Sequence, residues 1–130
     1  MGEYQQQNVS VIVQLVSDEE AFEKTGKKLQ TLYPAAGFEC IYLPIPDFNV
    51  PDKDALEAAI SLALQRAKAG QNIAVHCNAG IGRTGLFLAC LVRRVLDLSA
   101  NEAISWVRQF IPGAVEVPEQ MRLVEEYAHY

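Results

Sequence analysis

The chain has 130 residues, 50% of them hydrophobic and 21% charged, and its formal net charge is −5. This size and composition predict a single globular domain over residues 1–130 and exclude a mostly disordered chain. The acidic balance argues against a general nucleic-acid or anionic-membrane binder, because such partners require a broad positive surface. The three cysteines show no C-x-x-C spacing, so neither a disulfide framework nor a cysteine-rich zinc site is expected. We find no signal-peptide pattern and no apolar stretch of membrane length, and therefore expect a cytoplasmic protein with reduced thiols.

The first part of the chain predicts two strands separated by a helix. The β-branched and apolar residues of Val9–Val16 are typical of a buried strand. Ser17 followed by Glu20 matches a capping box, which opens a predicted helix over Asp18–Leu32. Phe38–Ile45 predicts a second strand, which continues into a proline-rich extended loop.

The rest of the chain predicts one more strand and four helices, so the fold class is α/β. The spacing of apolar residues, capping residues and glycines sets the bounds of these elements. They are a helix over Lys53–Ala69, a strand over Asn72–His76, and helices over Arg83–Leu98, from Ser99 to Ile111, and from Pro118 to the C-terminus. The helix over Arg83–Leu98 is apolar almost all round, which predicts that it lies in the core.

The most informative segment is the turn His76–Gly85, with the sequence HCNAGIGRTG. Cys77 ends a predicted strand, and the glycines let the following backbone curl so that its N–H groups converge on an anion. The helix beginning near Arg83 adds N–H donors and the positive end of its dipole, and the guanidinium can bind two phosphate oxygens. Such surroundings lower the pKa of a thiol from about 8.5 to about 3.5–7.5. We therefore predict that Cys77 is a thiolate nucleophile in a phosphate-binding turn.

Two other phosphate-binding motifs match parts of this turn. Gly80, Gly82 and Gly85 have the dinucleotide spacing, but that fold requires a second parallel strand after the helix. The next predicted element is a helix instead. Gly80 and Gly85 also have the Walker spacing, but Leu86 stands where that motif requires lysine. Individually, a buried cysteine, a surface arginine and a plain glycine turn explain these residues, but their combination in ten residues favours the nucleophile.

HCNAGIGRTG matches the signature of the protein tyrosine phosphatase superfamily, and the chain resembles its small atypical dual-specificity branch from about Phe38 onward. The resemblance also covers Leu43–Phe48 and the turn at Pro112 and Gly113. It implies a protein-tyrosine-phosphatase-like fold with a central, mostly parallel sheet flanked by helices. It also implies hydrolysis through a phosphocysteine intermediate without a metal or cofactor.

The same resemblance implies a role for each position of the turn. Cys77 would attack phosphorus, Arg83 would bind the phosphoryl oxygens, and Thr84 would hydrogen-bond the thiolate. His76 would orient the turn through hydrogen bonds, and its interpretation as a satisfied core histidine is compatible with that role. The residues that would bind the substrate phosphate together with Arg83 are Asn78, Ala79, Gly80, Ile81 and Gly82.

Hydrolysis also requires a carboxylic acid, because phosphate esters react extremely slowly unless the leaving oxygen is protonated. Asp47 and Asp52 are the candidates. Asp52 is placed to cap the following helix, whereas Asp47 lies 30 residues before Cys77, a spacing similar to that of the family's general-acid loop. We predict that Asp47 is the acid and then the base for the attacking water. Gln120 resembles the glutamine with which some members position that water, and a solvated helix residue is the alternative.

The resemblance and the composition of the turn together limit the substrate. Deep phosphotyrosine pockets in the family come from added N-terminal segments, so a shallower cleft that also accepts phosphoserine and phosphothreonine in proteins is expected. Asn78 and Ile81 are uncharged, whereas relatives that act on inositol lipids tend to carry lysines in the loop. The chain also begins later than small relatives do, so the sheet edge is expected to be incomplete or closed by another subunit.

Two other function classes stay open. One is a phosphopeptide-binding module with weak chemistry, which would have lost the nucleophile, the arginine or the acid. The other is a different thiolate enzyme, such as an arsenate reductase or a sulfurtransferase. Cys40 and Cys90 are expected to be core residues rather than redox partners of Cys77.

Overall fold

The computed structural model describes residues 9–20, 33–45, 50–76, 82–115 and 117–127. Over these ranges three strands and four helices are described from end to end, which confirms the α/β prediction. In chain order they are β1 (Val9–Gln14), β2 (Glu39–Tyr42), α1 (Lys53–Lys68), β3 (Asn72–His76), α2 (Gly82–Leu96), α3 (Ala100–Arg108) and α4 (Pro118–Glu126). Of the helix predicted over Asp18–Leu32, only its first three residues lie in the described ranges, and they are helical.

The three strands form one parallel sheet in the order β2-β1-β3. β1 is the central strand, and Val11–Val13 are fully buried. A strand covered on both faces favours a continuous β-branched run over an alternating pattern, which explains the sequence of β1. At the carboxyl end of β1, Gln14 pairs in register with Tyr42 on one side and with His76 on the other. The chain therefore leaves β3 at the carboxyl edge of the sheet, where open α/β sheets bind their ligands.

The chain divides into two compact units. The first comprises residues 1–44 and 54–78 and contains the sheet. Its hydrophobic core includes a cluster of Ile12, Val16, Tyr33 and Phe38, none more than 5% exposed. The second comprises residues 45–53 and 79–130, in which α2 contacts both α3 and α4. Most residues of α2 as far as Val92 are buried, as its apolar sequence predicts.

Two predicted helix ends are confirmed by their hydrogen bonds. At the start of α3, Ser99 Oγ accepts from the backbone N–H of Glu102 at 3.2 Å. The Glu102 carboxylate accepts in turn from the backbone N–H of Ser99 at 2.9 Å, so the predicted capping box is complete. After α1, Gly70 has a φ of 87°, the left-handed conformation with which glycine ends a helix.

Other predicted ends are wrong by up to four residues. β1 ends at Gln14 because the side-chain amide of Gln14 donates to the Val16 carbonyl at 2.9 Å and to the Asp18 carboxylate at 3.2 Å, which holds a turn. α2 ends at Leu96, two residues early, because Asp97 takes a φ of 55°. β2 covers 39–42 rather than 38–45, α1 ends at 68 rather than 69, α3 at 108 rather than 111, and α4 at 126.

Candidate active site

The structure describes both ends of the predicted phosphate-binding turn. His76 is the last residue of β3, and Gly82 is the first residue of α2, followed by Arg83 and Thr84. The predicted strand before the turn and helix after it are therefore confirmed. The predicted site residues that lie outside the described ranges are Asp47, Cys77, Asn78, Ala79, Gly80 and Ile81, together with the side chain of His76.

The element order after the turn excludes the dinucleotide alternative. α2 ends at Leu96, and α3 begins at Ala100, with only three residues between them. The second parallel strand that a dinucleotide-binding fold requires directly after this helix is absent from this described part of the chain. The glycines of the turn are therefore not the fingerprint of a nicotinamide or flavin site.

Arg83 is buried on the first turn of α2, with 2% of its surface exposed. Its Nη1 donates to the backbone carbonyl of Ile45 at 2.9 Å. A buried guanidinium costs free energy unless its N–H groups are hydrogen-bonded, and its fixed fork serves several acceptors at once. The bond holds Arg83 against Ile45, which precedes the predicted acid Asp47 by two residues in the sequence. The interpretation of Arg83 as a surface charge is wrong.

The first turn of α2 is packed against a segment that is distant in sequence. Thr84 is 8% exposed, and the next residue is Gly85. A Cβ on Gly85 would lie 2.5 Å from the Cβ of Ala114 and 2.9 Å from its Cα. Only glycine permits this close approach, so Gly85 has a packing role beyond the flexibility of the turn. Sequence reasoning missed this contact because the spacing of the motif carries no information on Ala114.

Gln120 is fully buried in α4, the helix that begins at Pro118. The interpretation of Gln120 as a solvated helix residue is therefore wrong. A buried side-chain amide needs hydrogen-bond partners, so a glutamine here has a structural or catalytic reason to be polar. Its use in positioning a water stays a prediction.

The other two cysteines have the properties of core thiols. Cys90 is fully buried in α2, and burial raises its pKa to about 12. Cys40 is partly buried, and burial together with the nearby Asp18 carboxylate raises its pKa to about 11. Both thiols stay protonated at neutral pH, and protonated thiols are poor nucleophiles.

Neither a metal cluster nor a membrane-spanning helix is found among the residues described. In those ranges, no group of three or more His, Cys, Asp or Glu side chains is placed to hold a metal ion. None of the helices there combines the length and apolar character that a bilayer crossing requires.

Comparison with known proteins gives consistent matches. Residues 1–96 match the family model Tc-R-P, described as "Polymorphic toxin system, DSP-PTPase phosphatase". Tyrosine-protein phosphatase cdc-14 of Caenorhabditis elegans is 35% identical over 94 residues, which are 72% of this chain and 13% of that protein. Dual specificity protein phosphatase CDC14A of Mus musculus is 32% identical over 127 residues, which are 96% of this chain and 19% of that protein. The chain thus spans less than a fifth of the length of these relatives.

The fold has a close match among solved structures. The crystal structure of Tk-PTP in its active form superposes with a TM-score of 0.84 and is 29% identical. The match covers 97% of this chain and 84% of that chain. The prediction of a protein-tyrosine-phosphatase-like fold is therefore confirmed.

Proposed function

Since this chain belongs to the DSP-PTPase phosphatase family of polymorphic toxin systems, we propose that it is a cysteine-dependent protein phosphatase. It hydrolyses phosphotyrosine, and through a shallow cleft also phosphoserine and phosphothreonine, in proteins or peptides. The observation that carries the proposal is the buried Arg83 guanidinium on the first turn of α2, directly after the turn that contains Cys77. A guanidinium at the N-terminus of a helix presents a planar fork of donors that is suited to binding two oxygens of a phosphate.

In the first proposed step, the Cys77 thiolate attacks phosphorus and forms a sulfur–phosphorus bond. The phosphorus–oxygen bond of the ester breaks, and the leaving oxygen takes a proton from the Asp47 carboxylic acid. Arg83 and the backbone N–H groups of residues 78–82 stabilise the negative charge on the phosphoryl oxygens. Thr84 donates a hydrogen bond to the sulfur. The products of this step are an alcohol or phenol and the phosphocysteine.

In the second proposed step, water attacks the phosphocysteine. Asp47, now a carboxylate, takes a proton from the water, while Gln120 orients it. The phosphorus–sulfur bond breaks, inorganic phosphate leaves, and the Cys77 thiolate is restored. No metal or cofactor takes part in either step.

One contact and one buried side chain support this assignment of roles. The hydrogen bond from Arg83 to the Ile45 carbonyl joins the proposed phosphate-binding group to the loop of the proposed acid. Gln120 is fully buried in the same unit as Arg83, so its amide is not simply a solvated surface group. A phosphatase of this kind needs an arginine, an acid and a water-positioning group near one another, and the proposal places Arg83, Asp47 and Gln120 in these roles.

The proposed substrate class, partners and compartment follow from composition and chemistry. Asn78 and Ile81 are uncharged, which supports phosphoproteins over polyanionic inositol lipids as substrates. A net charge of −5 supports neither nucleic-acid nor membrane partners. A thiolate nucleophile requires a reducing compartment, so we place the protein in the cytoplasm. We further propose that residues 1–130 act as one catalytic domain.

Hydrolysis of an aryl phosphate with a chelator present tests the proposal. We expect turnover that is inhibited by vanadate and abolished in Cys77→Ser and Arg83→Ala. A phosphopeptide-binding module would bind the ester without turnover, and an arsenate reductase or sulfurtransferase would process its own substrate but not this one. Absence of wild-type turnover, or its loss on chelation, would contradict the proposal.

The acid is tested with a matched pair of variants. Asp47→Asn should retain binding of the phosphate ester but slow its turnover by about 10²–10⁴-fold, the usual contribution of a general acid. Asp52→Asn, its control in the same part of the chain, should remain close to wild type. The pH profile should be bell-shaped, with one limb from the thiolate and one from the acid. Full activity in Asp47→Asn together with loss in Asp52→Asn would reverse the assignment.

A further inference from the structure

A strained turn connects α3 with α4 in the second unit. Val115 has a φ of 62°, in the left-handed region that β-branched residues rarely adopt. Both Val115 and the preceding Ala114 are fully buried. A β-branched residue remains in this conformation only where its surroundings fix it, so something must hold the turn.

Arg108, the last residue of α3, binds this turn through two hydrogen bonds. Its Nε donates to the Ala114 carbonyl at 2.9 Å, and its Nη2 donates to the Val115 carbonyl at 3.2 Å. The planar guanidinium presents these donors in a fixed geometry, so it sets the orientation of two successive peptide groups. A lysine could not do this, because its ammonium is a single point donor on a flexible stem.

The other side of the same turn lies against the first turn of α2. A Cβ on Gly85 would lie 2.5 Å from the Ala114 Cβ and 3.1 Å from the Val115 nitrogen. The backbone of Gly85 is therefore in direct contact with the turn that Arg108 holds. Close-packed interiors transmit small displacements, so a shift of Ala114 would displace α2 at Gly85.

We propose that Arg108 is a positioning residue for the phosphate site. It holds Ala114 and Val115 against Gly85, and Gly85 in turn fixes the preceding Arg83 and Thr84. The catalytic consequence depends on the proposed phosphatase function, whereas the mechanical link from Arg108 to α2 does not. Arg108 acts through the turn and is not proposed to contact the reacting atoms.

The alternative is that Arg108 only stabilises the fold. Kinetic constants measured on correctly folded enzyme distinguish this stabilising role from a positioning role. Arg108→Met keeps the apolar stem and removes both donors, Arg108→Lys keeps the charge, and Arg122→Met on the exposed surface of α4 is the control. We would measure KM for an aryl phosphate and the inhibition constant of tungstate, normalised by active-site titration and well below Tm. Arg108→Met should raise both constants by about tenfold or more, because small misplacements are costly in active sites. Arg108→Lys should raise both by less, and Arg122→Met should change neither.

Amide hydrogen exchange gives a readout that needs no enzymatic activity. In Arg108→Met, exchange in residues 82–88 should be faster than in wild type, while exchange in β1 stays unchanged. If the wild type fails to hydrolyse phosphate esters, the proposed function is wrong. The exchange comparison still tests whether Arg108 is mechanically linked to α2. If Arg108→Met does not fold, Arg108→Lys is measured in its place. The proposal would be overturned if the Arg108 variant had a lowered Tm but kept the KM, the tungstate inhibition constant and the amide exchange of the wild type.

Discussion

Replacing Gly85 with alanine is expected to destabilise the protein and impair its proposed phosphate site together. The new Cβ would lie 2.5 Å from the Ala114 Cβ, 2.9 Å from the Ala114 Cα and 3.1 Å from the Val115 nitrogen. Ordinary carbon–carbon contacts are about 3.5–4.0 Å, so the two segments must separate by about 1 Å. Two of the three atoms belong to the backbone, and a change of rotamer therefore cannot relieve the overlap.

The size of the effect follows from this overlap. Overpacking of a core by one methyl group costs about 1–3 kcal/mol. Each kcal/mol lowers the Tm of a chain of this length by about 4 °C, so Gly85→Ala should lose about 4–12 °C. Because Gly85 directly follows Arg83 and Thr84, the displacement should also lower kcat/KM for an aryl phosphate by about tenfold or more.

Two further variants serve as a rescue and a control. For each, Tm is measured by thermal melting and kcat/KM by steady-state assays. Ala114→Gly in the Gly85→Ala background removes the nearest atom but leaves the backbone contacts, so it should restore part of both losses. Gly70→Ala is the control for lost stability: Gly70 has open space around it, but its φ of 87° strains any other residue. It should lower Tm without lowering kcat/KM. Wild-type Tm and kcat/KM in Gly85→Ala would refute the reasoning.

Three other outcomes are expected. The hydrogen bond from the Arg66 guanidinium lowers the pKa of Glu39 in the folded protein. This pair therefore stabilises the fold at pH values above the pKa of Glu39 in the unfolded chain. The stabilisation is lost as the pH falls through the lower pKa of the folded state. Glu39→Gln should thus lower the urea midpoint slightly at pH 7 and converge with wild type in acid; a constant difference would be inconsistent. Ser99→Ala should cost about 1 kcal/mol, seen in Tm, with unchanged kcat. Gln120→Met should slow phosphocysteine hydrolysis, seen as a larger burst of released phenol; a change in Tm alone would remove its proposed role.

Much of the fold could be predicted because its elements carry strong local signals. β1 is a continuous β-branched run, and α3 begins at a capping box whose two hydrogen bonds are both present. Gly70 marks the end of α1 for the same reason, since its left-handed conformation is intrinsic to glycine. The strand and helix on either side of the predicted phosphate-binding turn were likewise predictable, because the glycines separate two periodic segments.

The features that could not be predicted depend on contacts between distant residues. The bond from Arg83 uses the backbone carbonyl of Ile45, and any residue at that position would supply the same oxygen. The burial of Gln120 depends on its packing in the fold and not on its own polarity. The left-handed φ of Val115 opposes the propensity of valine, so it arises only from the tertiary contacts around it. Sequence therefore indicates the local elements around the candidate site better than the tertiary contacts that hold them.

The ionisation of Cys77 is the central claim, and its alkylation by iodoacetamide across pH tests it most directly. Peptide mass spectrometry would follow Cys77 beside Cys40 and Cys90, whose pKa values of about 11 and about 12 make them slow internal references. The account predicts a midpoint for Cys77 at least about one unit below the ordinary 8.5, with protection by orthophosphate or tungstate. A midpoint near 8.5 that neither anion affects would contradict it.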